Sequence, residues 1–167
     1  MVLRVALHDL GTPGCAWALK STPGDRLTLE PPRTKITIDP TARHHLFLGD
    51  ETGAVPLLAM YAALPRTAVA HGVFEAATPA DEVPLPAPTF RWVHRGQASA
   101  VASRIFLRAV QDLELPPAPG AAYIAGESDT CRLLQRHLIE QRGWPRRAVH
   151  PQPQWSPNHP GFGAGRD

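Results

Sequence analysis

The sequence predicts an α/β fold: a five-stranded parallel sheet with helices on both faces, preceded by a partial antiparallel β segment. Three observations predict it. From about His45 onward, strand-like apolar runs alternate with stretches of helical period, the pattern of right-handed crossovers in a parallel sheet. The first of those runs, "HLFLGD" at 45–50, is continuous rather than alternating, as in a strand buried on both faces. Before residue 39 the rhythm differs, with short alternating segments broken by Gly and Pro.

Taken in order, "LRVALH", "DRLTLE" and "TKITID" read as strands, the first only weakly alternating. Between the first two, "GTPGCAWALKSTPGD" offers a loop, one or two helical turns over Cys15 to Lys20, and a Pro-Gly-Asp turn. After "HLFLGD" comes a helix with Val55, Leu58, Ala59 and Ala62 on one face and a Pro in its first turn. "RTAVAHGVFEA" is the second strand of this part and "TFRWVHR" the third. A helix over 98–112 follows, in which Val101, Ile105, Phe106 and Ala109 share a face. "GAAYIAGE" makes a fourth strand; Ser128 caps a helix carrying Cys131, Leu134 and Leu138, which Gly143 ends. "RRAVH" is the fifth strand, and from Pro151 the chain is rich in Pro, Gly and His without periodicity. The expected division is 1–40, 41–150 and a tail over 151–167.

Bulk properties exclude several classes. A chain of 167 residues with 43% hydrophobic residues can bury a core of its own. A formal charge of +2, with no basic run longer than Arg146-Arg147, argues against nucleic acid as a partner. Cys15 and Cys131 stand far apart without a CxxC pattern, as reduced thiols do in a cytosolic protein. No stretch approaches the roughly 20 apolar residues of a membrane span, so a cytoplasmic protein without membrane partners is expected. His44 and His45 are adjacent in a strand and point to opposite faces, which makes a metal site there improbable. Cys15 with a distant His8 lacks a third group to orient a nucleophile.

The chemistry belongs where open parallel sheets place it, beyond the carboxyl ends of the strands at the point where strand order reverses. Two junctions have matching character: Gly49-Asp50-Glu51-Thr52 after "HLFL" and Ala125-Gly126-Glu127-Ser128 after "AAYI". Glycine lets a backbone approach a ligand, and free amides at helix starts can meet a phosphate or ribose oxygen. Equally, Thr52 and Ser128 are good helix caps, with the acids favouring the helix dipole. Both readings can hold together. Phe74 and Glu75, ending the second strand, border the same crevice, and Arg91 and Arg95 at the third are candidates for a 2′-phosphate or for a solvated face.

"LFLGDETGAVPLLAMYAALP", "AHGVFEA", "FRWVHRG" and "AAYIAGESDTCRLLQRHLIEQRGWPRRAVH", in that order and spacing, resemble the siderophore-interacting proteins, NAD(P)H-dependent ferric-siderophore reductases of the ferredoxin reductase superfamily. Upstream, "VALHDLGTPGCAWALKSTPGDRLTLEPPR" is similar to the final strands of that family's flavin-binding barrel, N-terminally truncated. The resemblance implies a flavin-binding remnant over 1–40 and an NAD(P)H-binding domain over 41–150. It implies FAD near His8, Gly14, Cys15 and Ala16, and NADPH or NADH along Gly49, Asp50, Glu51, Thr52, Glu75, Gly126, Glu127 and Ser128. It implies a ferric siderophore as substrate, with Trp155 standing for the family's terminal aromatic segment. The family's Arg-x-Tyr-Ser/Thr flavin signature is not in this chain, as a start assigned too late, a truncation or a descendant without flavin chemistry would each explain. Hydride transfer in such proteins needs alignment rather than acid or base, so no catalytic side chain is expected. A dimer or a partner chain is expected to cover the open β edge. The rival reading is a non-catalytic remnant, a nucleotide-binding or protein-interaction module.

Overall fold

A computed structural model describes residues 13–28 and 36–157. It divides the chain into two units, Met1–Lys35 and Ile36–Asp167. In the first, one helix, α1 (Pro13–Lys20), stands where a short helix was expected. The strands expected around it are not present in what is described: 25–28 has no strand, and neither has 36–39 at the start of the second unit. A strand is held by a neighbour's ladder, and among the described residues none runs beside these segments. The "LRVALH" segment lies outside the described residues, and the barrel edge that a partner was expected to cover is not found among those described.

The second unit is the predicted sheet. Its strands are β1 (His45–Asp50), β2 (Ala70–Ala76), β3 (Phe90–His94), β4 (Ala121–Glu127) and β5 (Val149–Trp155). All pair in parallel in the order β3-β2-β1-β4-β5. Order therefore reverses between β1 and β4, whose carboxyl ends lie side by side with Gly49 opposite Ala125. Three of the four crossovers use an α-helix, α2 (Glu51–Ala62) after β1, α3 (Arg104–Gln111) after β3 and α4 (Ser128–Arg136) after β4, whereas the connection from β2 to β3 has only a 3₁₀ turn over Pro79–Asp81. Among the described residues no helix is long and apolar enough to cross a membrane.

The period of two along β1 explains the two cores. Leu46 and Leu48 face one side, packing with Phe106, Val110, Leu134 and Leu138 of the α3–α4 layer. Phe47 faces the other, with Phe74, Tyr123, Ala54 and Leu57 of the α2 layer. Phe74 is thus a fully buried core residue, not a border of the crevice.

Three helix expectations need correction. The buried face of α2 is Gly53, Ala54 and Leu57, not Val55, Leu58, Ala59 and Ala62. The helix is apolar nearly all round, so backbone proximity decides: a Cβ on Gly53 would lie 2.1 Å from the Ala125 carbonyl oxygen, and only glycine lets α2 lie on β4. Helix α3 begins at Arg104, not near 98, because the Ser103 hydroxyl accepts the Phe106 N–H and caps it there. Its buried residues are Phe106, Leu107, Ala109 and Val110, while Ile105 is exposed. Helix α4 continues through a π turn over His137–Gln141, and Arg142 reaches back to the carbonyls of Val110, Gln111 and Leu113, closing the end of α3.

The fifth strand also differs. Residues 146–148 form a 3₁₀ turn, and β5 runs five residues past the predicted end, to Trp155. Pro151 and Pro153 hid it from the sequence. An edge strand donates only alternate amides to its neighbour, so prolines two apart can both turn outward at no cost to the ladder.

Candidate functional site

The carboxyl ends of all five strands bring polar side chains to one edge of the sheet. Asp50 closes β1, Glu75 stands one residue from the end of β2, Arg95 follows β3, Glu127 closes β4 and Trp155 closes β5. Asp50, Glu75 and Glu127 are each at least 97% buried. Buried carboxylates need partners, and here the partners are mostly neutral donors.

Asp50 accepts five hydrogen bonds. Its Oδ1 takes the Thr52 and Gly53 N–H groups at 2.9 and 3.0 Å and the Thr52 hydroxyl at 2.7 Å. Its Oδ2 takes the Glu127 N–H and the Trp155 indole N–H, both at 2.8 Å. One oxygen therefore caps α2, and the other ties β1 to β4 and β5. Glycine at 126 permits this: its φ is +140°, and a Cβ there would lie 2.6 Å from the Asp50 carboxylate carbon.

Glu127 repeats the design on the next helix. Its oxygens accept the N–H groups of Asp129 at 2.9 Å, Thr130 at 2.8 Å and Ala102 at 3.3 Å. It thereby caps α4 and anchors the loop before α3. The Thr130 hydroxyl adds to that anchor, accepting the Ser103 N–H at 2.9 Å and donating to the Ala100 carbonyl at 2.7 Å. Glu75 accepts from the Ser103 hydroxyl at 2.5 Å. Burial pushes the Glu75 carboxyl above its ordinary range, opposed by the Ser103 hydroxyl and then by Arg95. Arg95 pairs through Nη2 with Glu51 at 2.6 Å and approaches Glu75 at 3.8 Å through Nη1. Glu51 also accepts the Ala77 N–H at 2.9 Å.

Two expectations change here. The helix caps are Asp50 and Glu127, not Thr52 and Ser128: a carboxylate at the strand's last residue already fills the position the hydroxyl would take. Consequently the first-turn amides of α2 and α4 bonded to these carboxylates are not free for a phosphate, and a pyrophosphate could use them only by displacing Asp50 or Glu127. Arg91 does not reach the crevice edge, since its guanidinium donates to the Ala109 carbonyl at 2.7 Å.

Of the residues the sequence singled out, the structure brings together Gly49, Asp50, Glu51, Thr52, Glu75, Gly126, Glu127 and Ser128 along this edge, and adds Trp155 through its bond to Asp50. Ser103, Thr130 and the bracing role of Arg95 were missed. The cap pattern at Ser103 was the available signal. Cys131, on α4 beneath the same edge, is buried, and burial with the nearby Asp50 and Glu127 carboxylates pushes its thiol up to about 12. A cavity of about 510 Å³ lined by Ile38, Pro40, His45, Leu64 and Thr67 involves the opposite end of β1 and is unrelated to this cluster.

For a nicotinamide dinucleotide the residue that fits is Arg95: its buried Nη1 makes no hydrogen bond and faces only the Glu75 carboxylate at 3.8 Å, so its donor capacity is unused. For FAD the described residues of the first unit do not form a site. Gly14 is exposed with no atom within 4 Å of its Cβ position, Cys15 is buried and Ala16 is partly buried. His8 lies outside the described residues.

Comparisons with known proteins agree with this architecture. The family model described as "Siderophore-interacting protein" matches residues 42–158. An uncharacterised protein of Mycobacterium tuberculosis is 36% identical over 99 residues, covering 58% of this chain and 35% of its own. The ferric vibriobactin reductase ViuB of Vibrio cholerae is 24% identical over 154 residues, covering 89% of this chain and 56% of its own. The crystal structure of a siderophore utilization protein from T. fusca matches with a TM-score of 0.70 and 31% identity, over 95% of this chain and 61% of that one. The chain thus spans about a third to just over half the length of the curated relatives it matches.

Proposed function

The chain belongs to the siderophore-interacting protein family, and from that membership we propose that it carries the nicotinamide-nucleotide half of an NAD(P)H-dependent ferric-siderophore reductase acting in the cytoplasm. The observation that carries the reading is the mutually braced pair of loops at the switch point, Gly49–Thr52 and Gly126–Ser128, joined through the two oxygens of Asp50. A fixed crevice at that point of a parallel sheet is where such folds take a nucleotide.

NADPH or NADH supplies a hydride when bound. The protein's part is to hold the dinucleotide and keep its walls still. Arg95 offers as a donor its Nη1, which makes no hydrogen bond and lies 3.8 Å from Glu75. Glu51 keeps Arg95 in place, and Ala77 keeps Glu51 in place. Asp50 and Glu127 remove the slack from the two loops, so that little ordering remains to be done when ligand arrives. No proton transfer is assigned to any side chain. The reductase reading also calls for FAD and, as electron sink, a ferric siderophore. The described residues do not build a flavin site, and none of them is assigned a role toward FAD.

Adding FAD to the purified protein, recording the visible spectrum and then adding NADPH without oxygen tests the reductase. Saturable FAD uptake followed by bleaching of the flavin band would make the chain a reductase by itself, and absence of uptake removes reductase activity for this chain alone. A second reading, a nucleotide-binding module without flavin chemistry, is favoured by the exposed Gly14, around whose Cβ position no atom lies within 4 Å. It requires NADPH or NADH to raise the melting temperature in the absence of FAD.

A further inference from the structure

We propose that Trp155 is a positioning residue for the nucleotide crevice: its indole N–H fixes Oδ2 of Asp50, and with it the spacing of the two loops that Asp50 joins. The proposal rests on the reading of that crevice as a nicotinamide-nucleotide site.

The pairing of β4 with β5 is regular through Ala125 opposite Gln152 and Gly126 opposite Pro153, and then shifts, so that Glu127 stands opposite Trp155. Gln154 is the extra residue of a bulge. Bulges re-aim the side chain that follows them. With regular pairing Gln154 would stand opposite Glu127, and Trp155, one place on, would project from the other face. The bulge instead lets the indole reach Asp50 at 2.8 Å, 105 residues away in sequence.

The division of labour at Asp50 gives that contact its effect. Oδ1 has three donors, all from the first turn of α2, whereas Oδ2 has only two, the Glu127 N–H and the indole. Without the indole, one amide alone would hold the oxygen that reaches β4, beside a Gly126 that no side chain stiffens. Packing does not explain Trp155, because it is only partly buried and belongs to neither hydrophobic core. A partly buried tryptophan with its N–H directed at a buried carboxylate serves orientation more than burial.

The test uses the full chain and Trp155→Phe, which keeps an aromatic ring and loses the donor. Fluorescence titration with NADPH and NADH should give dissociation constants raised about five- to tenfold, the scale of one ordinary hydrogen bond, since the indole acts on the nucleotide only through Asp50. The melting temperature of the unliganded variant should fall by no more than about 2 °C. Nitrogen-15 labelling supplies a readout that a purely structural role would not move. The chain has four tryptophans, and the indole resonance lost in Trp155→Phe should shift in Asp50→Asn and again when NADPH is added to wild type. If wild type binds either nucleotide and Trp155→Phe binds it equally well, or if that indole resonance ignores the nucleotide, the positioning role is overturned and the nucleotide reading survives. If wild type binds neither nucleotide, both fall together.

Discussion

The two ends of the sheet treat their buried polar groups in opposite ways. At the carboxyl end, Asp50 and Glu127 are surrounded by donors, five and three respectively. At the amino end, His44 is equally buried, yet its Nε2 has no hydrogen-bond partner, and neither has that of His71. His44 contacts Trp144 and His71 edge-on at 5.6 and 6.3 Å between ring centres, so it behaves as an aromatic. Its neighbour His45 stacks on Tyr123 at 6.0 Å, and the Tyr123 hydroxyl accepts the Asp39 N–H at 2.8 Å. The difference teaches which end was built to hold a shape. Hydrogen-bonded carboxylates fix backbone to backbone, whereas the edge-on imidazoles of His44 and His71 fill space.

Removing the centre of the carboxyl end should have the largest effect. Asp50→Ala leaves the donors of Thr52, Gly53, Glu127 and Trp155 without their acceptor, and should cost about 4 kcal/mol of unfolding free energy in urea titration. Asp50→Asn keeps one acceptor and should recover roughly half of that. Equal losses for the two variants would mean that the network is not what Asp50 contributes. Gly126→Ala comes next, at about 3 kcal/mol, since it meets both an unfavourable φ and the Asp50 carboxylate 2.6 Å from the new Cβ. A loss under about 1 kcal/mol would show that this loop can shift and that the brace is soft.

The amino end should reveal itself through acid. Burial lowers the His44 pKa from its ordinary 6.5, helped by the nearby His71 and His45, and burial lowers that of His45 too, against the pull of Asp39. A depressed histidine contributes stability that is present above its unfolded pKa and is lost as pH falls toward the folded value. Wild type should therefore lose stability as pH falls below about 6.5, the ordinary histidine value. His44→Phe, which can keep the contact with Trp144, should flatten that slope. An unchanged slope would place the acid sensitivity elsewhere.

These contrasts also explain what the sequence could disclose. Adjacency of β1 and β4 was legible because crossover rules leave few orders for strands that alternate with helices. The matching Gly-acid loops could then be assigned to one crevice. Which atom caps each helix was not legible: in Asp-Glu-Thr and Glu-Ser the carboxylate and the hydroxyl are both good caps, and one residue of strand length decides between them. The face of α2 was hidden for another reason. Its composition is apolar all round, and the packing side is set by the absence of a side chain at Gly53. Strand β5 was masked by its prolines, and with it the approach of Trp155 to Asp50, a contact no local pattern encodes.

The smallest expected effect probes how far the bracing extends. Ala102 has φ +49°, a left-handed conformation uncommon for alanine, in the loop that Glu127 and Thr130 pin from below. Left-handed backbone costs alanine about 1 kcal/mol, and glycine relieves it while adding freedom to the unfolded chain. If Glu127 holds the loop against that strain, Ala102→Gly should stabilise the protein by roughly 0.5 kcal/mol. In a Glu127→Gln background the loop would be freer to relax by itself, and the gain should shrink toward zero. A destabilising Ala102→Gly in wild type would mean that the conformation carries no strain, and that the bracing by Glu127 ends at α4.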